Sequence, residues 1–189
     1  PLLSVYLQDN LTEMGRDDRR RPCMIVCPGG AYRTCSQRES EPIVLEFLPI
    51  GYQVFLLNYS VAPHTYPTQL REVAAVMEQI YANSDAWNTD TGKIGILGFS
   101  AGGHLAASAS TLYADKETRP DFAILIYPVT TMNYEIYKSG SRPSLLGPDE
   151  KWAADPDGLA ALIKRFSLNL QVTPDTPPTF IAHSTNDNT

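Results

Sequence analysis

Residues 93–108 read KIGILGFSAGGHLAAS, an apolar run followed by small residues, with the pattern G-x-S-x-G at 98–102. The apolar run predicts a strand, and the run of small residues predicts a helix. Glycines two positions before and after Ser100 let the two backbones come close, which places the serine on a sharp, strained turn. In this context the motif predicts an exposed nucleophilic hydroxyl at the carboxyl ends of the strands. The alternative is a glycine-rich turn that binds phosphate or only reverses the chain.

Strands and helices alternate along the rest of the chain. The predicted strands are apolar on both faces, as expected when helices cover both sides of a parallel sheet. The sequence therefore predicts an α/β fold with a mostly parallel sheet and helices on both faces. The predicted strands are residues 4–7, 23–27, 53–59, 93–97, 122–127 and 179–183. The predicted helices are residues 38–48, 68–82, 101–113 and a segment within 155–168.

A glycine turn, PGGAY at residues 28–32, directly follows the predicted strand 23–27. Acyl transfer needs two backbone N–H groups aimed at the developing oxyanion, and one such donor contributes about 3 kcal/mol. The pattern predicts that Ala101, next to the serine, supplies one donor and that Gly30 or Ala31 supplies the other. Taken alone, the segment also fits an ordinary Pro-Gly turn.

An acidic residue, Asp187, follows the last predicted strand. Because the triad order of this fold is serine, then acid, then histidine, we predict that Asp187 orients the catalytic imidazole. The alternative is a surface aspartate in a polar turn. Three other aspartates lie in proline-flanked loops and are poorer candidates: Asp155, Asp157 and Asp175.

The general base is the missing piece of this pattern. The chain has three histidines: His64, His104 and His183. None follows Asp187, where the order of the fold places the base. His104 lies one helical turn beyond Ser100 and is predicted to pack or hydrogen-bond beneath the turn. We therefore expect residues 1–189 to form a single domain, truncated before a catalytic histidine that lies after Thr189. Without that histidine, the rate would fall by at least roughly 10³-fold.

Composition limits the partners. The net charge of −6 argues against nucleic acid or an anionic membrane as the main partner, because both need a basic face. No apolar run reaches the length of a membrane-spanning helix.

Cys23 and Cys27 lie roughly 13 Å apart on one strand, too far for a disulfide. They read as buried free thiols, which favours a reducing, cytoplasmic compartment. Without a CxxC pair or nearby histidines, no metal site is predicted.

The segments CPGGAY (27–32), GFSAGGHLAAS (98–108) and PPTFIAHSTND (177–187) resemble the acetyl-xylan-esterase-like branch of the α/β hydrolases. Similarity of this kind covers nearly the whole chain. It implies a serine esterase that removes acyl groups from polysaccharides, oligosaccharides or small esters. The residues implied are Ser100 as nucleophile, Asp187 as acid, Gly30, Ala31 and Ala101 as backbone donors, and Tyr32 in the pocket wall. Ala31 stands where the family often has a third glycine, which narrows the approach to the turn.

The expected reaction is a two-step acyl transfer from a small-molecule or oligosaccharide ester, most simply an acetyl ester, with no cofactor. Two alternatives stay open: a peptidase of the same fold, and a catalytically silent homologue that binds a ligand.

Residues 130–157, rich in Gly, Pro, Ser and Tyr, are predicted to pass over the active site as a cap or specificity loop. The sequence leaves the oligomeric state open.

Overall fold

Six strands form one sheet in the computed structural model, which describes residues 1–15 and 18–187. The strands are β1 (Leu2–Tyr6), β2 (Arg21–Cys27), β3 (Gln53–Asn58), β4 (Thr89–Phe99), β5 (Phe122–Ile126) and β6 (Thr179–Ala182). Their order across the described sheet is β1-β3-β2-β4-β5-β6. β1 pairs with β3 in the antiparallel sense, and every other described pair is parallel. The prediction of a mostly parallel sheet is confirmed.

Five α-helices connect or follow these strands in the described chain. They are α1 (Glu41–Phe47), α2 (Thr68–Ala82), α3 (Ala101–Thr111), α4 (Ser141–Leu146) and α5 (Pro156–Phe166). The predicted helix 68–82 matches α2 over its whole length, because Val73, Met77 and Ile80 all face the core. α4 lies within 130–157, a segment for which the sequence predicts no helix.

Both faces of the sheet are buried at its centre, which is why β2 and the second half of β4 are continuously apolar. On one face, Met24 and Val26 of β2 pack with Val44 of α1. On the other face, Ile25 of β2 packs in a cluster with Met77 of α2 and with residues of α3. Side chains on a strand alternate between the two faces, so a single strand contributes to both clusters.

β4 is longer than predicted, with eleven residues in place of five. Its first residue, Thr89, pairs with Arg21, and the register shifts between Arg21 and Cys23 before the regular ladder begins at Ile94. The apolar pattern marks only the buried second half of the strand. The first half is polar and partly exposed, and its described pairing with β2 is the Thr89–Arg21 pair before the register shift.

β6 differs from the central strands because it lies at the edge of the described sheet and pairs with β5 alone. Phe180 is 63% exposed and Ile181 is 57% exposed, whereas the side chains of β2 are almost fully buried. The loop after β6 therefore extends from the edge of the described sheet, whereas the turns after β2 and β4 extend from its centre.

The cysteines are free thiols, as predicted. Cys23 and Cys27 have no exposed surface. Burial raises the pKa of Cys23 to about 12 and raises that of Cys27 further. Among the described helices, none combines the length and the apolar character needed to cross a membrane.

Candidate active site

Ser100 occupies the sharp turn between β4 and α3. Its backbone has φ 50° and ψ −115°, in the left-handed half of conformational space that non-glycine residues rarely adopt. Two hydrogen bonds fix this turn on the neighbouring segment: the Ser100 N–H donates to the Ile126 carbonyl at 3.0 Å, and the Val129 N–H donates to the Ser100 carbonyl at 3.2 Å. A conformation of this kind costs about 1–3 kcal/mol and persists only where the surroundings impose it.

The two glycines of the motif are required by close backbone contacts. A Cβ atom at Gly98 would overlap the backbone of Gly102. A Cβ atom at Gly102 would overlap the carbonyl groups of Cys27 and Pro28. The steric reason that predicts glycine at these positions is therefore present in the structure, and it involves β2 as well as β4.

The glycine turn after β2 lies directly beside the serine. A Cβ atom at Gly29 would lie 3.1 Å from the Cβ of Ser100. Gly30, Ala31 and Tyr32 all have positive φ values, of 135°, 54° and 56°. In the described chain, the N–H groups of Gly30 and Ala31 have no hydrogen-bond acceptor. Ala101 is the first residue of α3, so its N–H has no partner within the helix. The three predicted backbone donors are thus brought close to Ser100.

Tyr32 does not lie where the family resemblance implied. Its side chain has no exposed surface and does not line the cavity that contains Ser100. The Tyr32 hydroxyl instead pairs with Nδ1 of His104 at 2.9 Å. The Tyr32 backbone has positive φ, and its ring packs against Tyr59 at 5.5 Å between ring centroids.

His104 is buried beneath the turn, as predicted. Its Nε2 lies 2.9 Å from the Phe166 carbonyl, which can only accept, so Nε2 carries the proton. Nδ1 then accepts from the Tyr32 hydroxyl. Burial lowers the pKa of His104 to about 4. With both nitrogens occupied and no exposed surface, His104 is a neutral support and not a general base for a substrate.

The loop after β6 brings the predicted acid to the same cavity. Asp187 and His183 line it together with Ser100, Gly30 and Ala31, and its volume is about 670 Å³. His183 Nε2 lies 3.5 Å from Asp187 Oδ2, and both side chains are partly exposed. The structure therefore gathers the predicted nucleophile, the predicted donor turn and the predicted acid around one cavity.

Glu39 and Tyr127 also line this cavity, and the sequence marks neither as a site residue. Glu39 is 7% exposed, and its carboxylate accepts hydrogen bonds from the Gly29 N–H and the Tyr127 hydroxyl. Burial and this carboxylate raise the pKa of Tyr127 to about 12. The run 37–40 reads as the start of a helix, so no spacing pattern marks Glu39 as a site residue.

The segment 130–157 contributes part of the cavity wall, through Thr130, Thr131, Ile136 and Tyr137. Ile136 is 68% exposed and Tyr137 is 37% exposed, so the wall presents apolar surface to solvent. Within the described residues, no group of three or more His, Cys, Asp or Glu side chains is arranged to bind a metal ion.

The family model named BD-FAE matches residues 10–189. The chain belongs to the BD-FAE family. One relative, the endo-1,4-beta-xylanase B of Butyrivibrio fibrisolvens, is 35% identical to this chain. The match covers 99% of the chain and 29% of that protein. The acetylxylan esterase of Xylanibacter ruminicola is 30% identical over 87% of the chain and 33% of that protein.

Solved structures agree with this family membership. The acetyl ester-xyloside bifunctional hydrolase of Caldicellulosiruptor lactoaceticus has a TM-score of 0.83 and 35% identity, over 98% of the chain and 66% of that structure. A sugar hydrolase from Lactococcus lactis has a TM-score of 0.72 and 35% identity, over 95% of the chain and 64% of that structure. The BD-FAE chain thus has the α/β-hydrolase fold, and it spans about a third of the length of the two relatives named above.

Proposed function

We propose that this protein is a serine esterase that hydrolyses acyl esters, with acetyl esters of carbohydrates as the preferred class. The observation that supports it is the position of Ser100: a strained serine beside two unpaired N–H groups, in the same cavity as Asp187. The family membership and the names of the relatives, an acetylxylan esterase and an acetyl ester-xyloside hydrolase among them, favour the same chemistry.

In the proposed first step, the Ser100 oxygen attacks the ester carbonyl carbon and its proton passes to an imidazole base. Negative charge on the carbonyl oxygen is received by the N–H groups of Ala101 and of Gly30 or Ala31. The C–O bond to the alcohol then breaks, and the alcohol leaves with the proton from the imidazolium. Water, deprotonated by the same base, attacks the acyl-enzyme, and the acid is released with Ser100 restored.

Asp187 orients the imidazole in this proposal. His104 is excluded as the base because it is buried with both nitrogens paired. His183 precedes Asp187, whereas the order of the fold places the base after the acid. We propose that the base is a histidine beyond residue 189.

The test compares the full-length protein with Ser100→Ala, using p-nitrophenyl acetate and acetylated xylo-oligosaccharides. We expect the substitution to lower kcat by about 10⁵- to 10⁶-fold. A fluorophosphonate probe should add one covalent group to the wild-type protein, at Ser100 by peptide mass spectrometry, and none to Ser100→Ala.

Acetate release that survives Ser100→Ala would contradict the serine mechanism. A wild-type protein that binds acetylated oligosaccharides without turnover, and does not react with the probe, would identify a silent binding homologue. Cleavage of a peptide anilide in preference to every ester would identify the peptidase.

A further inference from the structure

A carboxylate outside the predicted machinery contacts the glycine turn. Glu39 lies in a short 3₁₀ turn, Gln37–Glu39, that follows the turn and precedes α1. Its Oε2 accepts the Gly29 N–H at 2.8 Å, and its Oε1 accepts the Tyr127 hydroxyl at 2.9 Å. The side chain is buried, so each of these bonds replaces hydration that the carboxylate gives up on folding.

The carboxylate decides which N–H groups of the turn are free. Gly29, Gly30 and Ala31 present three successive donors, and Glu39 occupies the first of them. The next two remain without an acceptor in the described chain. Space around Gly29 is also limited, because a Cβ there would lie 2.7 Å from the Glu39 carboxylate and 2.9 Å from the Phe99 carbonyl. The turn is therefore in close contact with Glu39 on one side and with the end of β4 on the other.

Tyr127 extends the contact to the other side of the cavity. Its ring packs against Phe99 at 5.9 Å between centroids, next to the serine turn. Its backbone N–H donates to the Ala182 carbonyl at 2.7 Å, at the end of β6 and one residue before His183. A continuous set of contacts therefore runs from the Gly29 N–H through Glu39 and Tyr127 to the strand that begins the acid loop.

We propose that Glu39 is a positioning residue that fixes the donor turn relative to Ser100, so that the Gly30 and Ala31 N–H groups are aimed at the oxyanion before substrate binds. The inference rests on the proposed esterase function and adds a residue to it. Glu39 acts through Gly29 and Tyr127, and it need not touch the substrate.

A carboxylate suits this role because it is an acceptor at both oxygens, and both of its partners are donors. Its negative charge opposes a nearby oxyanion, so it would reduce the rate unless its hydrogen bonds were needed. Arg38 offsets part of this charge, with its Nε 3.7 Å from Glu39 Oε1, but the Arg38 side chain is mostly exposed and the offset is weak.

The test measures kcat and KM of the full-length protein on p-nitrophenyl acetate, together with the rate of labelling by a fluorophosphonate and the melting temperature. Glu39→Ala removes both bonds, and Glu39→Asp keeps the charge but is one methylene too short to reach both partners. Glu39→Gln keeps an acceptor for Gly29 and can donate to the Tyr127 oxygen. Glu46→Ala, an exposed carboxylate on α1, is the matched control.

We expect Glu39→Ala and Glu39→Asp to lower kcat by about 100-fold with KM nearly unchanged, because misplaced donors affect the transition state more than the bound ester. The labelling rate should fall in parallel. Glu39→Gln should recover kcat to within about tenfold of wild type, and Glu46→Ala should match wild type.

If Glu39→Ala does not fold, the kcat of Glu39→Asp tests the proposal instead, because this variant keeps a buried charge at the same position. Wild-type kcat in either folded variant, or a loss confined to the melting temperature, would overturn the positioning role while Ser100→Ala still abolished activity. An inactive wild-type protein that is not labelled at Ser100 would overturn the esterase function itself.

Discussion

The two halves of the candidate site are built differently. The donor turn and Ser100 follow β2 and β4, whose inward side chains are almost fully buried, and three non-glycine residues in them have positive φ. Asp187 follows β6, where Phe180 and Ile181 are largely exposed in the described chain and one described strand supplies the pairing. Strained backbone therefore occurs in the packed half of the site, which consists of the donor turn and Ser100.

The packing of the donor turn suits its proposed role. An oxyanion donor works only if it is fixed before the reaction begins, and a fixed, strained turn needs packing that resists relaxation. An acid that orients an imidazole needs a hydrogen bond to one ring nitrogen, which a loop side chain can provide. Substitutions that disturb the packed half should therefore lower stability.

The largest effect is expected at Asp187, and on activity. Asp187→Asn in the full-length protein should lower kcat by about 10³- to 10⁴-fold, because the imidazole loses its orienting charge. Steady-state kinetics measure the change. Asp175→Asn, an exposed aspartate ahead of β6, should leave kcat unchanged, and equal kinetics for the two variants would refute the assignment of Asp187.

The second effect is expected in the packed half, and on stability. Gly102→Ala should lower the free energy of unfolding by about 4 kcal/mol, because its Cβ would overlap the carbonyls of Cys27 and Pro28. Gly140→Ala is the matched control, since no atom lies within 4 Å of the Cβ it would add. Urea unfolding of both variants measures the contrast. A Gly102→Ala protein as stable as Gly140→Ala would mean that the turn relaxes easily and is not held by tight packing.

A third prediction concerns pH and again the packed half. Because burial lowers the pKa of His104 to about 4 in the folded protein, the unfolded chain binds the extra proton first, near its ordinary value of about 6.5. Above pH 6.5 the neutral His104 makes its full contribution to the free energy of unfolding. As the pH falls from about 6.5 towards 4, the free energy of unfolding should decrease by roughly 3 kcal/mol in total. Urea unfolding between pH 4 and pH 7 should show a steeper decline for wild type than for His104→Asn. Parallel curves for the two proteins would contradict the buried, neutral state.

The smallest effect is expected at Tyr137, in the part of the cavity wall that segment 130–157 contributes. Tyr137 presents an exposed ring to the cavity, and such a ring can stack on the apolar face of a sugar. Tyr137→Ala should raise KM for acetylated xylo-oligosaccharides by about tenfold and leave p-nitrophenyl acetate kinetics unchanged. Tyr81→Ala, a partly exposed tyrosine on α2 that does not line the cavity, is the control. An equal change in KM for both substrates would place Tyr137 against the acyl group instead of the sugar.

Much of the fold could be read from the residue pattern. Helix 68–82 and the apolar core of each strand could be predicted, because the spacing of apolar residues indicates which side chains are buried. That spacing differs between a helix and a strand. The polar first half of β4 could not, because no apolar spacing marks it. The steric need for glycine at 98 was also predictable, since its close contact with Gly102 arises within a short strand–turn–helix unit, whereas glycine at 102 is required by the carbonyls of Cys27 and Pro28, on a segment distant in sequence. The contacts of Tyr32 with His104, 72 residues away, have no local signal.

From the order of amino acids alone follow the α/β arrangement, the strained serine turn and the candidate donors and acid, because each depends on short-range sterics and on side-chain type. The inward turn of Tyr32, the neutral state of His104 and the link from Glu39 to Tyr127 follow only from the packed molecule. Those contacts join segments 62 to 88 residues apart, and which of many possible partners meet is set by the register and crossing of the strands.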